Sequence, residues 1–416
     1  MRALVALLIG LLTTGHLSAA GILDVDDPIP NKYIVILKDS LFAPQELAVA
    51  AERRHDIQRV ADEVTHRIGG VRGQMFSEVM TGFSVRIDRR GAERLSRDPD
   101  VALVAEDSRV HALASHDQPE PPSWGLDRLD QHDPELDYLY SWYVADSLHD
   151  VHVYVMDSGI RSTHVDFGGR VDTFESFSTI QDGFGVEDCH GHGTHVAGII
   201  GGMDHGVSKD VRIHPVRVLD CDGRGSVSSL IAAIEWVTNR VMENPHPAVV
   251  NFSLGTQGSS ILDNAVQTSI AAGIVYVAAA GNSSDDACAY SPARVPEVIT
   301  VGATDIDDSR AAFSSFGECV DIYAPGRGIT STFNRSDTDT LKMSGTSMAA
   351  PHVAGIAINL LAQKPLSSPS EIMEHILSSA GSFKNDVDSN GIGKLAYSLI
   401  DISTDPVVFS DNWESR

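Results

Sequence analysis

Four residues of this 416-residue chain are of the types that perform acyl transfer together: Asp157, His192, Asn282 and Ser347. A serine hydroxyl attacks a peptide carbonyl when a base takes its proton, a carboxylate orients that base, and donors receive the developing oxyanion. Asp157 closes an apolar run in Met156-Asp157-Ser158-Gly159-Ile160, where an aspartate otherwise caps a turn or helix. His192 lies in His190-Gly191-His192-Gly193-Thr194-His195-Val196-Ala197-Gly198, whose glycines allow close backbone approach before a helix of small residues begins. His195 in the same stretch reads as a packed core histidine. Ser347 lies in Ser344-Gly345-Thr346-Ser347-Met348-Ala349-Ala350-Pro351-His352. A serine at a helix mouth is ordinarily an N-cap. Here the preceding glycine, Pro351 at the helix start and the small residues around it put the hydroxyl on a tight, exposed turn. Asn282, after Ala279-Ala280-Gly281, ends another apolar run and has a side-chain amide to offer an oxyanion, although asparagine after glycine is also a common turn residue.

A second chemistry competes for the same histidines. His190, His192 and His195 beside Cys189 form an HxHxxH pattern of the metallo-hydrolase kind. Thr194 stands where that signature carries an aspartate, and no downstream motif supplies further ligands, so the expectation is no catalytic metal.

The elements that must position these residues alternate between strands and helices. Val151 to Met156, Val211 to Leu219, Ala248 to Phe252, Ile274 to Ala280 and Val298 to Val301 are near-continuous apolar runs, as in parallel strands buried on both faces. Between them Ser228 to Met242 is helical, with Ile231, Ile234, Val237 and Val241 on one stripe. The expected fold is α/β, a doubly wound, mainly parallel sheet, with ligands beyond the carboxyl ends of its strands, where Asp157 and Asn282 fall. Upstream, strands at Lys32 to Leu37, Gly82 to Asp88 and Val101 to Asp107, a helix over Pro44 to Val64 and a short helix near Ala92 make a small α+β unit. The polar stretch Ser115 to Ser123 reads as a linker.

Composition is ordinary for a globular chain, at 42% hydrophobic and 21% charged residues. The net charge of −26 disfavours nucleic acid and anionic membrane surfaces as partners, because like charges repel. Arg2, the apolar run Ala3 to Leu12 and the small residues Ser18, Ala19 and Ala20 read as a secretory signal peptide. A membrane anchor would need about 20 apolar residues, and Thr13 to His16 interrupt the run. Secretion places Cys189, Cys221, Cys288 and Cys319 where disulfides persist; spacing alone leaves three pairings open.

Together these segments resemble subtilisin-like serine proteases, in particular the proteinase K and aqualysin branch, over about Ser123 to Ser398. Trp124-Gly125-Leu126-Asp127-Arg128-Leu129-Asp130, Val218-Leu219-Asp220, Asn251-Phe252-Ser253-Leu254-Gly255 and Tyr290-Ser291-Pro292-Ala293 carry the likeness. The order Asp157, His192, Ser347 is the order known from subtilisin. Met80 to Val85 and Asp98 to Asp107 are similar to the family's inhibitory propeptide, a ferredoxin-like unit. The resemblance implies a secreted serine endopeptidase that removes its own propeptide, with Asn282 and the Ser347 N–H as oxyanion donors. It also implies Ser253, Leu254 and Gly255 as partners of the substrate backbone, and Ala279, Ala280 and Gly281 as walls of a roomy first pocket. A structural calcium ion is implied on the carbonyls of Pro296 and Val298 and the carboxylate of Asp321, as are the pairings Cys189 with Cys221 and Cys288 with Cys319.

The expected organisation is a signal peptide at 1–20, a propeptide at 21–114, a peptidase domain at 115–400 and a polar tail at 401–416, with self-cleavage between His111 and Gln118. The expected partners are protein or peptide substrates and the chain's own propeptide; the protein is expected to be a monomer that binds neither nucleic acid nor membrane. The alternative reading is a binding protein that cleaves itself once and keeps its propeptide, as one secreted animal relative does; that relative carries a cysteine-rich C-terminal domain, which is not seen here. Val196, Cys189, His190, Ser226 and Val227 depart from the proteinase K pattern, so its outer-pocket specificity is not carried over. Of the sequons at Asn251, Asn282 and Asn334, only Asn334 is expected to be accessible.

Overall fold

The computed structural model describes residues 21–23, 25, 28–42, 50–77, 80–108, 115–132, 135–143, 148–382 and 393–399. The chain forms two compact units, one within residues 1–111 and one within 112–404.

In the first unit Tyr33, Val35 and Leu37 are buried and their neighbours less so, the two-residue period of a strand with one face on a core. That strand, Pro28–Leu37, lies between Val101–Ser108 and Gly82–Arg86, with Val71–Phe76 on the far edge, all antiparallel; Ile22–Leu23 adds a parallel pair at the other edge. The helix Ala50–Ile68 buries Ile57, Val60, Ala61 and Val64 against this face. The helix Arg89–Leu95 is capped by Asp88, whose carboxylate accepts from Gly91 N at 2.8 Å. The order strand, helix, strand, strand, helix, strand is ferredoxin-like. The strand Val71–Phe76 was not expected, because its exposed edge position lets Arg72, Gly73 and Gln74 replace the apolar alternation. The expected start of the long helix, 44–49, lies outside the described residues, and its end runs on to Ile68.

The second unit is built on a nine-stranded sheet in the order Gly381–Ser382, Lys394–Leu395, Ile322–Pro325, Ile299–Thr304, Val275–Ala279, Ala248–Phe252, His152–Asp157, Arg212–Arg217, Phe177–Ser178. Every pairing is parallel except that between the first two. Val153 and Val155 enter one apolar cluster, under the helices His192–Gly201 and Thr346–Gln363. Tyr154 and Met156 enter the other, under Val227–Glu243 and Ser260–Ala271. Helices thus cover both faces of a doubly wound sheet. In the helix Val227–Glu243 the buried stripe is Leu230, Ala233, Ile234, Val237 and Val241, with Ile231 only half-buried at its margin.

Strand order reverses at His152–Asp157, which has Arg212–Arg217 on one side and Ala248–Phe252 on the other. Such a switch point opens a crevice beyond the strand's carboxyl end, and Asp157 is the residue there. The linker expected at 115–123 is instead structured. Ser115–Pro119 pairs antiparallel with Leu139–Tyr143, and Gln118 Oε1 accepts from Lys209 Nζ at 2.6 Å. Ser123 then caps the helix Trp124–Leu129. Polar residues suit an edge strand as well as a linker, and composition alone does not separate the two. The expected signal peptide and polar tail lie outside the described residues.

Candidate active site

Asp157 has no solvent exposure, and its carboxylate faces the His192 ring, with Nδ1 at 2.8 Å from Oδ1 and 2.9 Å from Oδ2. Because a carboxylate only accepts, Nδ1 carries the proton and Nε2 presents a lone pair. Oδ1 also accepts from Ser158 N at 2.7 Å. Burial weakens the basicity of His192, but the charge and hydrogen bond of Asp157, aided by the charge of Asp188, outweigh it and leave the imidazole above its ordinary value.

Two glycines make this approach possible. A Cβ on Gly193 would collide with the Gly159 carbonyl and lie 3.0 Å from Asp157 Cβ. Gly191 has φ +104°, and a Cβ there would strike Phe333.

Asp188 holds the turn between them and escaped the sequence reading. Its Oδ1 accepts from Ser158 Oγ, His190 N and Gly191 N at 2.9, 2.9 and 2.8 Å. Its Oδ2 accepts from Thr194 N and Oγ1 at 2.9 and 2.6 Å. One carboxylate therefore fixes both the loop carrying Asp157 and the first turn carrying His192. An acid four residues before the candidate base was the available signal.

Ser347 lies in the first turn of the helix Thr346–Gln363, where backbone N–H groups have no intrahelical partner. Pro351 is inside this helix, not at its start as the sequence suggested. Its missing N–H frees the Ser347 carbonyl, which accepts instead from Ser253 Oγ at 3.0 Å. Ser347 Oγ returns a hydrogen bond to the Ser253 carbonyl at 3.0 Å and forms none to His192 among the described residues. In unliganded sites such bonds tighten once substrate is present.

Asn282 Oδ1 accepts from Thr346 N at 2.8 Å and Thr346 Oγ1 at 3.0 Å, and its Nδ2 is a donor with no partner among the described residues. A Cβ added to Gly345 would lie 3.4 Å from Asn282 Nδ2 and 3.6 Å from Ser347 N. The space above Gly345 is thus bordered by two hydrogen-bond donors, an arrangement suited to an oxyanion.

Ser253, Leu254 and Gly255 continue directly from the strand Ala248–Phe252, and Ala279, Ala280 and Gly281 complete the adjacent strand Val275–Ala279. Gly255 is exposed, Ser253 is buried, and Ala280 packs with Ala287, Val320 and Tyr323. Gly281 has φ +111° and binds Thr346 Oγ1 through its N–H at 3.1 Å.

The histidine pattern is not gathered as a ligand set. Cys189 is bonded to Cys221, His192 faces Asp157, His195 Nε2 lies 2.9 Å from the Leu341 carbonyl, and the His190 ring centroid is 6.3 Å from that of His192. The second disulfide joins Cys288 to Cys319. These are the pairs the resemblance implies. The first is flanked by the buried Arg217, which donates to Cys189 Sγ at 3.1 Å and pairs with Asp182. Asp321 accepts from Thr300 N at 2.8 Å, and burial raises its carboxyl to about 6. Asn334 Nδ2, the acceptor atom of the third sequon, donates to the Asp188 carbonyl at 3.0 Å, so glycosylation there would sacrifice that bond.

Residues 149–395 match the model of the subtilase family, and residues 32–113 match that of the peptidase inhibitor I9 family. The chain belongs to the subtilase family, and it is a subtilisin-like serine endopeptidase preceded by an inhibitor-type propeptide that it removes autocatalytically. It is 43% identical to an extracellular serine proteinase of Thermus sp. (strain Rt41A), over 85% of this chain and 86% of the relative. It is 37% identical to alkaline serine exoprotease A of Vibrio alginolyticus, over 90% of this chain and 69% of that one. A solved structure of a cold-adapted subtilisin-like serine proteinase superposes with a TM-score of 0.61 at 44% identity, covering 67% of this chain and 98% of its own. No helix among the described residues is long and apolar enough to cross a membrane.

Proposed function

We propose that Asp157, His192 and Ser347 are the triad of this endopeptidase and that Asn282 with the Ser347 N–H forms its oxyanion hole. Ser347 Oγ attacks the scissile carbonyl while His192 Nε2 takes its proton, and the imidazolium so formed is stabilised by Asp157. His192 then hands the proton to the leaving amine, and a water repeats the cycle on the acyl-enzyme. Ser253, Leu254 and Gly255 pair with the substrate backbone as an added strand. Ala279, Ala280 and Gly281, being small, leave room for a large apolar side chain. The observation carrying this reading is the pair of donors, Asn282 Nδ2 and Ser347 N, that border the space above Gly345 while Asn282 Oδ1 is engaged by Thr346. An organophosphonate that traps nucleophilic serines tests it by mass spectrometry. The adduct is expected on Ser347 in wild type and absent in His192→Ala; an adduct on another serine contradicts it.

The organisation is proposed as a signal peptide at 1–20, a propeptide at 21–114, a peptidase at 115–400 and a tail at 401–416. Ser115–Pro119 is paired within the second unit, which favours self-cleavage in the earlier part of the expected window, between His111 and Ser115. N-terminal sequencing of the processed protein tests this, and a start after Gln118 contradicts it. The protein acts as a secreted monomer, binding neither nucleic acid nor membrane, a reading its acidity supports. The carbonyls of Pro296 and Val298 with Asp321 hold calcium. This set of hard oxygen donors fits that ion, and burial raises the half-buried carboxyl of Asp321 even though the Thr300 N–H and the charge of Lys394 oppose it, so a bound cation would further favour its ionised form.

A further inference from the structure

At the opposite end of the strand that carries Asp157, about 17 Å away at the rise of a β-strand, a second group of histidines is gathered. His214 is fully buried, and its Nδ1 lies 2.7 Å from the main-chain oxygen of Glu175. A carbonyl oxygen only accepts, so Nδ1 bears the proton and Nε2 presents its lone pair. That lone pair faces His152 Nδ1 at 3.0 Å. One carboxylate oxygen of Glu175 accepts from Arg240 Nη2 at 2.7 Å, and the other has no partner among the described residues. The ligand atoms of His152, His214 and Glu175 all fall within 4.8 Å of one another.

We propose that His152, His214 and Glu175 form a binding site for a divalent transition-metal ion of the zinc class, distinct from the proteolytic centre and from any calcium site. Two imidazole nitrogens bound tetrahedrally to one zinc at 2.0–2.1 Å are about 3.3 to 3.4 Å apart, and the two here, at 3.0 Å, need to separate by only a few tenths of an ångström. The surroundings match those of ligating groups. A metal-bound imidazole donates its remote N–H to a carbonyl, as His214 does to Glu175, and a ligating carboxylate is itself hydrogen-bonded, as Glu175 is by Arg240. His152 is held in plane by His246, stacked at 3.8 Å between centroids. His246 is fixed in turn by the Asn244 carbonyl, 2.6 Å from its Nδ1, and by the Tyr154 hydroxyl, 2.9 Å from its Nε2.

Binding needs His152 to move its proton from Nδ1 to Nε2 and its ring to tilt toward the lone pair of His214; no net proton is lost. Imidazole and carboxylate donors favour zinc, nickel or copper over calcium, and three protein ligands leave a fourth position for water. The ion would clamp the first residues of His152–Asp157 to Arg212–Arg217 and to the segment before Phe177–Ser178, raising thermal stability without touching the chemistry.

The test uses full-length Ser347→Ala, stripped with chelator, to avoid self-digestion. Zinc chloride is titrated by calorimetry and melting, and cobalt(II) by visible absorption. One equivalent of zinc is expected to bind and raise the melting temperature, with calcium unable to replace it. His152→Gln and Glu175→Gln, both partly exposed, should each weaken zinc binding at least tenfold while melting cooperatively. No binding at 100 µM zinc, which would leave only a neutral hydrogen-bonded chain, overturns the proposal. So does affinity unchanged in both variants, which would place the ion elsewhere, for example at His190 and His192.

Discussion

The two ends of the strand His152–Asp157 bury imidazoles in opposite company. At the carboxyl end His192 faces a fully buried carboxylate, and its basicity rises above the ordinary value despite burial. At the amino end His152, His214 and His246 pack together, and burial, the largest cause for each, pushes them down: His152 to about 2, with the charges of His246, His214 and Arg212 adding, His214 to about 4 against the opposing Asp172 and Glu175, and His246 with help from Arg212 and Arg240. Burial acts in the same direction at both sites; the charge and direct hydrogen bond of Asp157 outweigh it at His192, whereas the charges of Asp172 and Glu175 do not outweigh it at His214. The comparison breaks most visibly if the charge of Asp157 is removed. Asp157→Asn should slow self-processing about 10⁴-fold, the scale known for the equivalent change in a serine-protease triad; retention of most of the activity would show that orientation without charge suffices. Asn282→Ala should cost about 100- to 1000-fold in turnover, a range set by subtilisin itself. Gly345→Ala should also slow turnover, because its methyl would stand 3.4 and 3.6 Å from the two donors, in the space an oxyanion would take.

The pH dependences sharpen the contrast. With His192 as the proposed base, activity should rise as pH passes the unperturbed value of about 6.5 and beyond, since that histidine is raised. His195, His214 and His352 have folded values of about 4, below the unfolded value. The unfolded chain therefore takes up their protons first as pH falls, and stability present above pH 6.5 is lost progressively down toward pH 4. At pH 5 the loss is about 2 kcal/mol for each of the three. Denaturant melts of Ser347→Ala at pH 7 and pH 5 measure it, and His214→Phe should flatten the slope. Smallest of all, Glu175→Gln should leave kcat within about twofold, because it sits a strand's length from the reacting atoms.

Much of this was legible because close approach leaves marks in sequence. Gly191 and Gly193 flank His192 because a Cβ at either position collides, and the continuous apolar runs announced strands covered on both faces. The edge strands were not legible. Val71–Phe76 and Ser115–Pro119 are polar segments whose pairing depends on partners elsewhere in the chain. Asp188 was passed over because a single acid in a loop has many uses, and only the fold reveals five donors converging on it. The histidine cluster was invisible for a similar reason. His152, Glu175, His214 and His246 are separated along the chain and meet only through strand register and the loop between strands.

The central claim is that Ser347 is the nucleophile of a chain whose first substrate is itself. Full-length Ser347→Ala, expressed in a host lacking related proteases, should accumulate as intact pro-form with no hydrolysis of a second protein, while wild type is processed near Ser115. A processed Ser347→Ala chain, or one that still digests a second protein, would contradict the account.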